Sequence, residues 1–139
     1  MEDLHAGINF VTHSDIEILE ADGDRAVGRV EIAEHHHQPY GIVHGGVYCT
    51  LVETLASTGA ALWAMSKGMV GCVGLSNMTD FLRATREGVI MGEATPIHRG
   101  RTQQLWQVVI TRQEDQKMVA RGQVRLQNLA DDSLINQSA

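Results

Sequence analysis

The sequence predicts an α+β domain in which one long helix packs against a curved antiparallel sheet. Three observations predict this fold class. A central segment has the spacing of an amphipathic helix, two short strand-like runs come before it, and four more follow it. The chain has 139 residues, which suits a single domain with one core. A long helix has to bury its apolar face, and a curved sheet offers a surface for that burial.

The segments before the helix are short. Residues 1–13 are of mixed composition, and we expect a short helix or a loose arm there. Residues 16–33 predict two strands joined by a turn at 22–24, because the Asp-Gly pair in that turn is a hairpin signal. A loop rich in His, Gln and Pro then spans residues 34–43.

The long helix is predicted to begin at the His-Gly-Gly of residues 44–46 and to end at Gly68. Its apolar residues recur at i, i+3, i+4 and i+7, and they are Tyr48, Leu51, Val52, Leu55, Gly59, Leu62 and Trp63. Core packing is the expected role of the larger side chains in and after this helix, although they could instead line a pocket. These side chains are Tyr48, Trp63, Met65 and Met69.

Four strand-like runs follow the helix. They cover Val70–Arg83, Gly88–His98, Thr102–Arg112 and Lys117–Leu126, and they are rich in residues that favour strands. We therefore expect a sheet of about five to six strands in a single domain over residues 1–128. Residues 129–139 predict a flexible polar tail.

Composition excludes several classes of protein. The net charge of −6 argues against a general nucleic-acid binder. No apolar run reaches the length of a membrane span, and the first twenty residues lack the basic and apolar regions of a signal peptide. The two cysteines, Cys49 and Cys72, show neither a CxxC nor a zinc spacing. We expect a cytoplasmic protein with reduced thiols and no membrane or nucleic-acid partner.

The stretch PYGIVHGGVYCTLVETLAS, residues 39–57, places a carboxylate within the predicted helix. Glu53 shares a helical face with small or weakly polar residues, namely Gly46, Cys49, Thr50, Ser57 and Ala60. A carboxylate on such a face has a raised pKa unless it is hydrogen-bonded. From the residues alone, a functional carboxylate and a solvated helix Glu are both open.

Gly45 and Gly46 open the same helix. The first N–H groups of a helix have no partner within it and lie at the positive end of its dipole. Glycine lets a ligand approach that backbone closely. A carbonyl oxygen placed there would be polarised, whereas the alternative is a glycine-rich turn with no ligand.

Two further patterns carry charge or metal ligands. His98-Arg99-Gly100-Arg101 presents guanidinium groups, which suit phosphates, and Lys117 across the next turn could add charge; the alternative is a basic surface turn. The run at residues 35–37 is three consecutive histidines. Their side chains alternate in direction and no Asp, Glu or Cys completes a metal spacing, so we predict solvated loop histidines and no metal site.

The segments QPYGIVHGGVYCTLVETLAS and GEATPIHRGRTQQLWQVVI, in this order and spacing, resemble the hot-dog-fold thioesterases of the phenylacetate-degradation and 4-hydroxybenzoyl-CoA type. The resemblance extends from about Asp15 to Leu126. It is greatest for the bacterial branch that acts on aryl- and hydroxyaroyl-CoA or carrier-protein thioesters of enterobactin and menaquinone pathways. One departure is at residues 78–84, MTDFLRA, where the family's LRP has lost its proline and the Asn stands at position 77.

The resemblance implies a hot-dog fold and hydrolysis of an acyl-CoA or acyl-carrier-protein thioester to a free acid and a thiol. CoA is then part of the substrate, and neither a metal nor a redox cofactor is implied. The assembly would be a homodimer, or a dimer of dimers, which is a homotetramer. A hot-dog hydratase is less expected, because it would want an Asp/His pair near the helix. A non-catalytic hot-dog protein that binds or senses acyl-CoA is the alternative from another class.

The same resemblance assigns catalytic roles to residues near the helix. Glu53 would be the nucleophile or the general base, and the Gly45 N–H would polarise the thioester carbonyl. Gln38 would donate a hydrogen bond near that carbonyl, His44 would orient the loop or the substrate, and Ser57 would hold water or a substrate hydroxyl. By the same resemblance, the turn at residues 98–101 would bind CoA together with Gly46 and Lys117.

One helix cannot supply both Gly45 and Glu53 to one substrate. The two residues are eight positions apart, which is about 12 Å along a helix axis. Reacting atoms have to approach to about 3–3.5 Å, so a carbonyl on the Gly45 N–H is beyond the reach of that Glu53. We therefore predict a two-fold dimer with antiparallel long helices, in which Gly45 and Gln38 of one subunit face Glu53 and Ser57 of the other.

Overall fold

The computed structural model describes residues 7–131, and they form two helices and six strands. The helices are α1, Phe10–His13, and α2, Gly45–Ser66. The strands are β1, Glu17–Asp22; β2, Arg25–Glu31; β3, Gly71–Phe81; β4, Val89–Arg99; β5, Gln103–Arg112; and β6, Met118–Leu129. A single 3₁₀ turn, Glu34–His36, lies between β2 and α2.

The six strands form one antiparallel sheet in the order β1-β2-β4-β5-β6-β3. The strand that follows α2 does not pair with the strand before it, because β3 is carried across to the far edge and pairs with β6. This arrangement leaves α2 between the two ends of the sheet, and α2 contacts all six strands. The α+β architecture of one long helix wrapped by an antiparallel sheet is therefore confirmed.

The core lies between α2 and the inner face of the sheet. Leu51, Val52 and Leu55 of the helix are fully buried there, together with alternate residues of the strands such as Val108 and Ile110. At Gly59 the helix comes so close to Trp106 that an added Cβ would lie 2.6 Å from the indole ring. The glycine therefore permits the close contact between helix and sheet.

A buried polar network fixes the C-terminal half of α2 to the sheet. Gln104 is 1% exposed, and its amide donates to the Ala60 carbonyl at 3.0 Å and to Oδ1 of Asn128 at 2.7 Å. The Trp106 indole donates to Oε1 of Gln104 at 2.8 Å. Because each of these buried amide and indole groups has a partner, the network positions the helix without leaving polar atoms unsatisfied.

Several sequence expectations differ in detail from the structure. β6 continues to Leu129, which is 3% exposed, so the sheet extends one residue past the predicted domain boundary. Most of the predicted tail lies outside the described residues. The expectation of core packing is wrong for Met65, which is 43% exposed, and right for Tyr48, which is 3% exposed. No helix within residues 7–131 combines the length and the apolar character that crossing a bilayer requires.

Candidate active site

His44 caps the N-terminus of α2. Its backbone is extended, and its Nδ1 accepts a hydrogen bond from the Gly46 N–H at 2.7 Å. The ring nitrogen therefore satisfies one of the orphan donors of the first helical turn. The Gly46 N–H is occupied in this way, whereas the Gly45 N–H has no partner within residues 7–131. Of the two glycines, Gly45 offers the available donor.

Glycine at position 45 lets the Phe81 ring lie directly against the start of α2. A Cβ added to Gly45 would overlap the Phe81 ring, which comes from the end of β3. The ring of Phe81 also lies 5.8 Å from that of Tyr48. The free N–H of Gly45 is thus next to two aromatic side chains, where a hydrogen bond is stronger than in water.

Gln38 lies on the same side of the helix terminus as Gly45. Both residues line a cavity of about 290 Å³, whose full lining is Gln38, Ile42, Val43, Gly45, Tyr48, Phe81, Leu82, Arg83 and Ala84. Oε1 of Gln38 accepts a hydrogen bond from the Tyr40 N–H. Because an amide nitrogen cannot accept, this contact orients the side chain and leaves its N–H groups to donate elsewhere.

Glu53 is half-buried in the middle of α2, and two neighbours hold its carboxylate. Ser57 donates its hydroxyl to Oε2 at 3.2 Å, and the Asn77 side-chain amide donates to Oε1 at 3.3 Å. Oδ1 of Asn77 in turn accepts from the Thr79 hydroxyl at 2.7 Å. A Cβ added to Gly74 would overlap Oε2 of Glu53, so glycine there leaves room for the carboxylate. The solvated helix Glu that the residues alone left open does not describe this side chain.

Asn77 and Thr79 were not predicted as partners of Glu53. The signal was present in the sequence, since residues 77 and 79 are polar and face the same side of a strand by its period of two. The contact itself depends on the packing of β3 against α2, which local patterns do not contain.

Cys72, on the same strand, lies near Ser57 with its Sγ 3.7 Å from the Ser57 carbonyl oxygen. Burial raises the pKa of this thiol to about 12, and the negative charge of Glu53 adds to the effect.

Glu53 and Gly45 open into different cavities of the chain. Glu53 and Ser57 line a cavity of about 380 Å³ whose full lining is Phe10, Val11, Cys49, Thr50, Glu53, Thr54 and Ser57. No residue lines both this cavity and the one that contains Gly45 and Gln38. A single chain therefore presents the carboxylate and the free N–H donor at separate places.

The structure places the predicted CoA-binding residues in different surroundings, and they do not form one cluster. Arg99 is engaged at the β1–β2 turn, since its Nη1 lies 2.6 Å from Oδ1 of Asp24 and its guanidinium lies 5.7 Å from the centre of the Trp63 ring. Arg101 is exposed in the β4–β5 turn, together with an exposed His98 at the end of β4. Lys117 follows β5, so it lies at the other end of that strand, about 30 Å away along one chain.

The prediction of solvated histidines is wrong for His36, which is 3% exposed. Its Nδ1 accepts from the Ala33 N–H at 2.9 Å, so the proton of the neutral ring is on Nε2, which donates to the Ser14 carbonyl oxygen at 3.3 Å. The same Nε2 lies 3.2 Å from Oδ2 of Asp15. His35 Nε2 lies 2.6 Å from the same carboxylate oxygen. These three side chains come within metal-binding distance of one another. A metal would need the Nε2 lone pair of His36, and the bond from Ala33 opposes that tautomer.

Comparison with known proteins is consistent with this geometry. A family model described as "Thioesterase superfamily" matches residues 40–119, more than half of the chain. A solved structure of the Mycobacterium tuberculosis protein Rv1847/MT1895 superposes with a TM-score of 0.86 at 43% identity, covering 89% of this chain and 98% of that one.

Two relatives are named for a specific activity. The 1,4-dihydroxy-2-naphthoyl-CoA hydrolase of Listeria monocytogenes is 36% identical over 69% of this chain and 76% of that protein. The proofreading thioesterase EntH of Klebsiella pneumoniae is 33% identical over 76% of this chain and 70% of that protein.

The fold and these relatives define an enzyme of the hot-dog class that hydrolyses thioesters. The chain belongs to the thioesterase superfamily, and its substrate is a small-molecule thioester. The family resemblance drawn from residues 38–57 and 92–110 is thereby confirmed.

Proposed function

We propose that the protein hydrolyses acyl-CoA thioesters at a site shared by two subunits. Gly45 and Gln38 come from one subunit, and Glu53 and Ser57 come from the other. The observation that carries this proposal is that the free Gly45 N–H and the Glu53 carboxylate open into separate cavities of one chain. A two-fold dimer with antiparallel helices would bring each cavity to the complementary one of its partner.

The proposed chemistry begins with the thioester carbonyl. Its oxygen accepts hydrogen bonds from the Gly45 N–H, at the positive end of α2, and from the Gln38 amide. Both donors favour the negative charge that develops on this oxygen when the carbonyl carbon becomes tetrahedral. His44 contributes indirectly, because it keeps the Gly46 N–H occupied and fixes the first turn.

Glu53 then supplies the attack by one of two routes, and both remain open. As a base, it takes a proton from a water held by Ser57, hydroxide adds to the carbonyl carbon, and the carbon–sulfur bond breaks. As a nucleophile, its oxygen adds to the carbon, thiolate leaves, and water hydrolyses the resulting anhydride. Either route yields the free acid and a thiol that has regained a proton.

The dimer is supported by β3, which is an edge strand. It pairs with β6 on one side, and it exposes Val73, Leu75 and Met78 by 41%, 52% and 72%. A long edge strand with exposed apolar residues tends to pair with another chain. We propose that the partner is a second copy of this chain, and that two such dimers form the tetramer.

For the thiol part of the substrate, we propose CoA bound at the β4–β5 turn, with Arg101 and His98 nearest the phosphates. Arg101 is exposed and forms no ion pair within residues 7–131, whereas Arg99 is paired with Asp24 of the β1–β2 turn. The Listeria relative is named as a hydrolase of a CoA thioester, which supports this choice. An acyl carrier protein remains the alternative thiol, and the cytoplasm remains the proposed location on composition alone.

The test is thiol release from a panel of acyl-CoA esters by the wild type, Glu53→Ala and Glu53→Gln. We expect turnover by the wild type and a loss of kcat of several powers of ten in both variants, with little change in substrate binding. Binding of acyl-CoA without turnover by the wild type would instead identify a sensor. Turnover by Glu53→Ala near the wild-type rate would reject the proposed mechanism.

A further inference from the structure

A short helix at the start of the described chain forms one side of the Glu53 cavity. Phe10 and Val11 of α1 line that cavity together with Glu53. The Phe10 side chain is 71% exposed, and α1 contributes no buried residue to the core. The apolar side chains of α1 therefore are not explained by the packing of the domain.

Hydrogen bonds at its N-terminus stabilise the helical conformation of α1. Oδ1 of Asn9 accepts from the N–H groups of Val11 and Thr12 at 3.0 and 3.2 Å, and the Thr12 hydroxyl accepts from the Asn9 N–H at 3.0 Å. This reciprocal arrangement is a capping box, which stabilises the start of a helix. Four helical residues are too few to be stable without such support.

Asp15 then ties the end of α1 to the loop that leads to Gln38. It has a positive φ of 61°, and its carboxylate lies between His35 and the buried His36. A non-glycine residue with positive φ is held there by its surroundings, although Asp tolerates it better than most residues. The histidine pair therefore keeps α1 in place beside α2.

The polar groups of the cavity are largely satisfied internally. Ser57 donates to Glu53, and the Thr50 hydroxyl donates to the Gly46 carbonyl at 2.7 Å. Glu53 is the only charged residue among those that line the cavity. An occupant next to Phe10 and Val11 is thus expected to be apolar, and a negatively charged occupant would be repelled by the carboxylate.

We propose that Phe10 and Val11 form the wall against which the acyl group packs, so that α1 determines acyl specificity. The proposal rests on the proposed function above, since it requires the thioester to reach Glu53. The preferred acyl group is an uncharged aryl or medium-chain group that is long enough to touch α1. Acetyl is too short to reach the wall, and an acyl group ending in a carboxylate is disfavoured. The cavity of about 380 Å³ lies within the range of small-molecule sites.

The experiment compares Phe10→Ala with wild type on acetyl-CoA, phenylacetyl-CoA and succinyl-CoA. Because Phe10 is mostly exposed, its truncation removes contact area and does not open a blocked pocket. Loss of that contact is expected to lower kcat/KM for phenylacetyl-CoA about tenfold. We expect kcat/KM for acetyl-CoA to stay within about twofold, and succinyl-CoA to be the poorer of the two larger substrates for wild type.

Ile8→Ala is the matched control, since Ile8 is 89% exposed, precedes α1 and does not line the cavity. Ile8→Ala should not change kcat/KM for acetyl-CoA or phenylacetyl-CoA. Phe10→Leu, which keeps an apolar side chain, should retain most of the phenylacetyl activity and covers the case in which Phe10→Ala is unstable. Equal changes on acetyl- and phenylacetyl-CoA, no change on either, or an Ile8→Ala effect equal to that of Phe10→Ala would overturn the proposal.

The two proposals fail in different ways. If Glu53→Ala abolishes hydrolysis and Phe10→Ala leaves the acyl preference unchanged, the shared catalytic site stands and α1 is not the wall. If Glu53→Ala remains active, the proposed role of Glu53 in the shared site is wrong whatever the acyl preference.

Discussion

The Asn77 side chain donates one hydrogen bond to Oε1 of Glu53 at 3.3 Å and another to the Cys49 carbonyl at 3.1 Å. The side-chain oxygen Oδ1 of Asn77 accepts a hydrogen bond from the Thr79 hydroxyl. Both the nitrogen and the oxygen of the Asn77 side chain are therefore hydrogen-bonded. Asn77 holds one carboxylate oxygen of Glu53, and Ser57 holds the other. The rotamer of Glu53 is set by β3 as well as by α2.

Asn77→Ala should lower kcat about tenfold to a hundredfold with little change in KM, because a displaced carboxylate loses its attack geometry. Thr79→Val is the matched variant, since it keeps Asn77 and removes only the hydroxyl that orients it. Its effect on kcat should be smaller. Steady-state kinetics and thermal melts decide the matter. A loss of activity that simply follows a loss of Tm would mean that Asn77 is structural and not a positioning residue.

Arg101→Ala is expected to raise KM for acyl-CoA by roughly fivefold to tenfold, because an exposed charge contact is worth about 1 kcal/mol. The KM for an acyl-pantetheine without the nucleotide should hardly change. Arg99→Ala is the comparison, since Arg99 is already paired with Asp24 and should distinguish less between the two substrates. An equal effect of Arg101→Ala on both substrates would place the phosphate site elsewhere.

Cys72 is expected to be unreactive in the folded protein. Its pKa is raised from about 9 to about 12, so its thiolate fraction at neutral pH is about a thousandfold lower. In a Cys49→Ser background, alkylation by iodoacetamide at pH 8 should be slow until the protein is unfolded. Because a raised pKa favours the protonated thiol in the folded state, stability from this group should decline as pH rises from about 9 toward 12. Rapid native-state alkylation would contradict the assigned burial.

Much of the fold follows from local patterns. The apolar period of 3.6 predicted a helix from His44 to Gly68, and the structure has it at Gly45–Ser66. The Asp-Gly turn and the four β-rich runs predicted the strands to within a few residues. The order of strands in the sheet was not predicted, because pairing of β3 with β6 depends on contacts far apart in the chain.

For the candidate site, sequence reasoning extends only as far as a single motif. Gly45 and Glu53 lie in a single segment, and so their separation along the helix could be calculated. Asn77 and Phe10 approach Glu53 from other elements, whereas Asp15 and His36 meet at the end of α1, and no local spacing predicts such contacts. Arg99 was expected to bind CoA phosphates, and its pairing with Asp24 could not be predicted because it requires that two distant turns meet beside Trp63.

We propose that each site takes Gly45 and Gln38 from one subunit and Glu53 from the other. Two parent variants test it: Glu53→Ala, and a double variant of Gln38→Ala with Gly45→Pro. Proline at the first helical position removes the N–H without opposing the helix, and the 55% exposed Phe81 ring has room to move aside. Each parent alone should be nearly inactive, with folding checked by circular dichroism.

The measurement is the specific activity of heterodimers purified from the two parents with different affinity tags. A shared site predicts one site with all the lesions and one with none, so activity should return to about half the wild-type value per dimer. Heterodimers that remain as inactive as both well-folded parents would contradict a site shared between subunits.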